Sequence, residues 1–365
     1  MSALALETNA VNLGQGFPDF GCDPRLLEFM TAALNAGHNQ YAPMAGIPAL
    51  REAIAAKVLA CYGREYDVAT EITVSAGGTH AIQTALSAFV RHGDEVIIFE
   101  PVYDSYEPVI RLNGGEPVYG RLTAPEYRPN FQALAALVTS RTRAIVINTP
   151  HNPSASLWRR EDFEQLAALL RGTDIVLISD EVYEHMVYDG ERHLSVSSFP
   201  ELAERACVIS SFGKTYHVTG WKIGYCLAPA ALTREFRKAH QFNVFAVHTP
   251  SQYALAEYMK LGTHRELSEF YQAKRNFFLA RARSSRLTWQ PSLGTYFVSA
   301  SYAQLSEYSQ YSELEFARLL ARDYGVACIP LSAFYHDAHD EKVVRFCFAK
   351  KEQTLALAAE RLTRL

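Results

Sequence analysis

The chain has 365 residues, 48% of them hydrophobic, with 35 basic and 39 acidic side chains giving a formal charge of -4. That length and apolar share suffice for a large core in one domain or two interlocked ones. The near balance of charge excludes the basic footprint of a nucleic-acid or anionic-membrane binder, so small molecules are the default partners.

Residues 1–40 are rich in Gly and Pro and are expected to wrap onto a C-terminal unit without forming one of their own. No basic n-region precedes them, and no apolar stretch approaches the ~20 residues that cross a bilayer, so neither secretion nor membrane insertion is expected. From about residue 70 to 230 short β-branched runs recur: Ile72-Thr73-Val74, Glu95 to Phe99, Ala144 to Ile147, Ile175 to Ile178, Ala206 to Ile209 and Ile223 to Leu227. Several are apolar without alternation, as strands covered on both faces are. Helical stripes lie between them, such as Ala81, Ile82, Ala85, Leu86 and Phe89, then Phe163, Leu166, Ala167 and Leu170. The pattern predicts an α/β architecture with a mostly parallel sheet flanked by helices. A charged helix from about Thr263 to Arg283 reads as a strut between domains. After it, Thr295 to Val298, a helix near Glu313 to Asp323 and Val343 to Phe348 give a smaller α+β unit. The expected division is residues 39–262 for the large unit, and 1–38 with 263–365 for the small one.

Ligands of such sheets collect beyond the carboxyl ends of strands, and there the polar motifs fall. Lys214, in Ser210-Ser211-Phe212-Gly213-Lys214-Thr215, lies eight residues before Lys222. A neighbouring ammonium disfavours its charged form, and an unprotonated lysine can form a Schiff base. Gly77-Gly78-Thr79 opens a helix, where backbone N–H groups converge on an anion, although two glycines alone are also an ordinary tight turn. Ser211, Thr215 and Lys222 add donors and a countercharge that together specify a phosphate. Asp180 ends a strand, either as an N-cap or as a carboxylate holding a proton on an aromatic ring nitrogen; Asn152 and Tyr183 would then donate to a ring oxygen. Tyr103 is either a core tyrosine or a stacking partner for such a ring. Arg345 inside Val343-Val344-Arg345-Phe346 is costly unless paired, either structurally or with a substrate carboxylate. Phe17, Tyr41, Tyr296 and Phe334 are candidate pocket walls, largely uncharged, which favours uncharged side chains over dicarboxylates. The six cysteines show no Cys-x-x-Cys or metal-ligand spacing and read as free thiols of a reducing cytoplasm, with no metal expected.

In order and spacing the chain resembles the fold-type I, pyridoxal-phosphate-dependent aminotransferases of class I/II. The nearest branch holds the kynurenine/glutamine-type and bacterial methionine aminotransferases. The motifs that carry the likeness run from Asn12-Leu13-Gly14-Gln15-Gly16-Phe17-Pro18 through Asn39-Gln40-Tyr41, Asn148-Thr149-Pro150-His151-Asn152-Pro153 and Ser179-Asp180-Glu181-Val182-Tyr183 to Phe212-Gly213-Lys214, Gly220-Trp221-Lys222 and Arg345-Phe346. The resemblance implies a seven-stranded large-domain sheet and pyridoxal 5'-phosphate bound covalently to Lys214. It places Asp180 at the ring nitrogen, Asn152 and Tyr183 at the ring oxygen, and Tyr103 on the ring face. Gly78, Thr79, Ser211 and Lys222 would hold the phosphate, with Tyr41 reaching across from the second subunit of a homodimer. Arg345 would grip the substrate carboxylate, beside Gly16, Phe17, Asn152 and Tyr296.

The implied reaction is a ping-pong transfer of an amino group from an amino acid, methionine first, then aromatic amino acids, glutamine or kynurenine, to a 2-oxo acid. A C–S β-lyase of the same fold is the alternative. The family pattern usually extends further ahead of Asn12, so a shortened N-terminal arm is expected, without room for the helix-turn-helix of regulators that reuse this fold. A dinucleotide site is not expected, because Gly-x-Gly-x-x-Gly is missing.

Overall fold

A computed structural model describes all 365 residues. The chain opens with a short helix, Ser2–Glu7, followed by β1 (Val11–Asn12). A central sheet then takes β2 (Ile72–Ser75), β3 (Glu95–Glu100), β4 (Glu116–Arg121), β5 (Thr142–Asn148), β6 (Val176–Asp180), β7 (Ala206–Ser211) and β8 (Gly224–Leu227). The order across it is β2-β8-β7-β6-β5-β3-β4, parallel except for β8, which runs against both neighbours. Seven strands and the α/β class agree with expectation. β4 was not among the runs read from the sequence. It is an edge strand carrying Pro117 and Gly120, exposed at both ends and half-buried at three of its six residues, so it lacks the continuous apolar signal of the inner strands.

The inner strands read as apolar runs because both faces are covered. Ile145 and Ile147 pack into one core layer, while Ala144 and Val146 face the other. Helices Gly78–Phe89 and Ala230–Asn243 cover the second face. Beyond the strut helix Leu267–Ala282 come β9 (Thr288–Trp289), β10 (Phe297–Ser301), β11 (Val326–Ala327), β12 (Ile329–Pro330) and β13 (Val343–Cys347). The order β12-β13-β10-β9 forms an antiparallel sheet, and β11 pairs in parallel with β1. The start of the chain therefore belongs with the C-terminal elements. Helix Pro24–Asn35 does not: it packs on helix Thr249–Met259, and Leu26 enters the core beneath the central sheet. No helix is long and apolar enough to cross a membrane.

Candidate active site

The carboxyl ends of β5, β6 and β7 stand side by side, with Asn148 opposite Asp180 and Asp180 opposite Ile209. Beyond them lies a cavity of about 520 Å³ between the central sheet and the C-terminal unit. Its lining includes Gly16, Gly78, Thr79, Tyr103, Asn152, Asp180, Tyr183, Ser211, Lys214, Lys222 and Arg345. Long-range folding thus brings eleven of the fourteen expected site residues to one space.

The phosphate-like corner is built from glycines that cannot be replaced. Gly77 has φ +88°, which starts helix Gly78–Phe89 at an angle other residues rarely adopt. A Cβ on Gly78 would meet Val182 Cγ1 at 2.8 Å, filling the cradle between β6 and β7. Gly224, to which the sequence reading gave no role, is as constrained: a Cβ there would lie 2.6 Å from the Ser210 carbonyl oxygen and 2.9 Å from the Gly77 carbonyl carbon. Lys222 is left-handed at φ 55°, and its Nζ comes within 3.5 Å of where a Gly77 Cβ would stand. A helix N-terminus, the Ser211 hydroxyl and an ammonium converge there, a donor set suited to a dianion. The Thr215 hydroxyl is turned away and donates to the Ser211 carbonyl at 3.2 Å.

Lys214 follows β7 on the single turn Phe212–Thr215, capped by the Ser211 side chain. Its Nζ donates to the Tyr296 hydroxyl at 2.9 Å and to the Gly16 carbonyl at 3.3 Å, and lies 5.9 Å from the centre of the Tyr183 ring. Its pKa is lowered to about 8, and burial is the largest cause; the charge of Lys222 is a lesser one. The direction expected from the sequence holds, but desolvation and not the neighbouring ammonium dominates it. Asp180 is pushed up to about 6, again by burial, against the lowering effect of a 2.6 Å hydrogen bond from the Tyr106 hydroxyl and one from the Val182 N–H. Tyr106, three residues after Tyr103, had no sequence signal beyond its company in Tyr103-Asp104-Ser105-Tyr106.

Arg345 projects from β13, between Ser299 and Ile329 in the register. Its guanidinium lies 3.9 Å from the Phe297 ring centre and 4.8 Å from that of Phe334. Nη1 donates to Asn152 Oδ1 at 2.5 Å, Nη2 to the Gly14 carbonyl at 3.2 Å, and Nε is buried without a partner. No carboxylate satisfies it, which removes the structural ion pair and leaves a cation facing the cavity. Asn152 is fixed in turn by Asn148, whose Oδ1 accepts its backbone N–H at 2.7 Å.

Three expected residues do not line this space. Tyr296 is fully buried beneath it and touches the site only through its hydroxyl, which bonds Lys214 and the Gly16 carbonyl. Phe17 is 44% exposed, under Lys350 Nζ at 4.8 Å, and lines a separate surface recess. Tyr41 is 82% exposed, edge-on to Phe245.

Comparison with known proteins agrees with this geometry. The family described as Aminotransferase class I and II matches residues 8–362. Over 367 residues the chain is 48% identical to the methionine aminotransferase of Escherichia coli (strain K12), covering all of this chain and 94% of that one. It is 35% identical to human kynurenine–oxoglutarate transaminase 1, over 98% of this chain and 93% of that protein. The crystal structure of YbdL from Escherichia coli, reported with a methionine aminotransferase function, superposes with a TM-score of 0.97 at 48% identity, covering 100% and 96% of the two chains. With the family matched nearly end to end and a strand-end cavity of the required chemistry, the chain belongs to the class I and II aminotransferases and is an aminotransferase enzyme.

Proposed function

We propose that the cavity holds pyridoxal 5'-phosphate and that the enzyme moves the amino group of an L-amino acid with an uncharged side chain, methionine first, to a 2-oxo acid. The observation that carries this reading is that Lys214, Asp180 and Arg345, from three distant parts of the chain, line one cavity. Gly78, Thr79, Ser211 and Lys222 would hold the phosphate, Asp180 the ring nitrogen, Asn152 and Tyr183 the ring oxygen, and Tyr103 the ring face. The fit rests on the glycine cradle, the ammonium beside it and a buried carboxylate without a full countercharge. When bound, the cofactor supplies an aromatic ring that takes up the electron pair left as a substrate Cα–H bond breaks.

The residues of this chain do the rest. Arg345 receives the α-carboxylate, for which its orphaned Nε is a ready donor. Lys214 carries the proton: with its pKa already depressed, Nζ can take it from the substrate and return it to an adjacent carbon. The Tyr296 hydroxyl and the Gly16 carbonyl hold that amine in place between transfers. Both half-reactions use the same groups, so ping-pong kinetics are expected. The aromatic walls around Arg345, Phe297 and Phe334, suit an uncharged side chain, and the 48% identity to a methionine aminotransferase supports methionine as donor.

A homodimer in which Tyr41 completes the partner's phosphate site belongs to the same reading. The exposure of Tyr41, Phe242 (87%) and Phe245 (53%) supports it. The same reading includes a division into a large unit, 39–262, and a small one, 1–38 with 263–365, with helix Pro24–Asn35 packed on the large one. Six unpaired cysteines support a cytoplasmic setting. The test is a visible spectrum of the cofactor-loaded protein. Added methionine should shift the cofactor band and release a 2-oxo acid, and Lys214→Ala should abolish both; an unchanged wild-type spectrum would refute the proposal.

A further inference from the structure

Five charged side chains line the cavity: Asp104, Asp180, Lys214, Lys222 and Arg345. Four have roles in the proposed function, and Asp104 has none. It follows Tyr103 directly, is exposed at the cavity rim, and enters no ion pair or side-chain hydrogen bond within the chain. It shares the cavity with Arg345, whose pKa burial lowers and the charge of Asp104 pushes back in part.

The charges sort by half. At the cofactor end, Lys222 and Lys214 stand with Asp180, leaving room for a dianion. Away from that end, the remaining charges of the lining are Arg345 and, at the rim, Asp104. A single α-carboxylate can take the guanidinium, after which a second carboxylate finds no further cation outside the cofactor end and a neighbour of its own sign. Lys350 lies outside the lining and is engaged elsewhere; its Nζ donates to the Phe17 carbonyl at 2.7 Å and to the Gln15 carbonyl at 3.5 Å.

We propose that Asp104 is a specificity-determining residue that rejects side-chain carboxylates, so that both the amino donor and the 2-oxo acid acceptor are monocarboxylates. The inference rests on the proposed function, and it extends that reading to the acceptor. Donor and acceptor of a ping-pong enzyme occupy the same space in turn, so a rim carboxylate acts equally on glutamate and on 2-oxoglutarate.

The experiment compares wild type with Asp104→Asn, and with Asp104→Ser as a second variant, in the cofactor-loaded protein. kcat/KM is measured for glutamate against methionine, and for 2-oxoglutarate against 4-methylthio-2-oxobutanoate. Because Asp104 is at an exposed rim, each dicarboxylate-to-monocarboxylate ratio should rise about two- to fivefold, less at high salt. Glutarate and valerate, which carry no reacting group, test binding alone by calorimetry: the variants should tighten glutarate relative to valerate by a similar factor. Unchanged ratios and unchanged relative glutarate affinity, while methionine is still turned over, would overturn the proposal. Failure of the wild type to act on methionine would overturn the underlying reading, and this inference with it.

Discussion

Two carboxylates leave the end of β6 four residues apart, both buried, and they meet opposite fates. Asp180 faces the cavity, takes hydrogen bonds from Tyr106 and Val182, and is pushed up to about 6 by burial. Glu184 lies in a closed pocket behind β7, where it accepts from Lys57 at 2.5 Å, Ser210 at 2.5 Å, Tyr225 at 3.0 Å and the Tyr62 hydroxyl. The Lys57 ammonium, with His185 and those donors, holds it well below the ordinary glutamate range in spite of its burial. Burial is common to both, so the partner decides. Glu184 is spent on structure, pinning helix Pro48–Tyr62 to the strand that carries Ser211, whereas Asp180 keeps unspent charge for a ligand.

The largest test of that contrast is Asp180→Asn in the cofactor-loaded enzyme. It should lower kcat by about 10²- to 10⁴-fold, the span of a misplaced proton in general acid–base chemistry, while the fold survives; steady-state kinetics beside circular dichroism reads both. Breaking the other region should reverse the pattern. Lys57→Met leaves Glu184 charged and unpaired, a loss of about 3–5 kcal/mol seen in the denaturation midpoint, and Lys57→Met with Glu184→Leu should recover part of it. Recovery in full would mean that the three hydroxyl donors contribute nothing.

The two groups also predict opposite pH dependences. Asp180 is raised above its unfolded value of 3.8, so its contribution to the cofactor-free protein is present below 3.8 and lost as pH rises through about 6. Glu184 is depressed, so its contribution is present above the unfolded value of 4.5 and lost only as pH falls well below it. At pH 7.5, cofactor-free Asp180→Asn should melt about 2–5 °C above wild type and Glu184→Gln below it; a lower Tm for Asp180→Asn would break the comparison. The smallest effect is expected from Tyr106→Phe. Losing one hydrogen bond to a charged group should cost about tenfold in kcat and move the acid limb of the pH profile upward, because Asp180 then holds its proton more tightly.

Legibility in the sequence followed the distance over which a feature is built. The proposed cofactor end was readable because strand, turn and helix start are contiguous: Gly77-Gly78-Thr79 and Ser210 to Lys214 each carry donors within a few residues of an apolar run. The substrate end was readable only in part. Arg345 stood out as a cation in an apolar strand, but Phe17 and Tyr296 were expected as walls from their aromatic, uncharged side chains. Phe17 turns outward to Lys350 and Tyr296 lies beneath the amine. Nothing local in Thr295-Tyr296-Phe297 says which of two adjacent rings faces the cavity, because the twist and register of β10 against β13 set it.

From the residues alone follow the class of fold, the reading of Lys214 as the reactive amine, and the charges that a phosphate and a carboxylate would meet. Those depend on hydrophobic period and short-range turn chemistry, which a linear chain carries openly. Only the tertiary structure decided that burial governs Lys214, that Tyr106 serves Asp180, that Glu184 does not share its role, and that Asp104 stands at the rim without a partner. Desolvation and charge pairing depend on neighbours from distant segments, and no spacing along the chain encodes them.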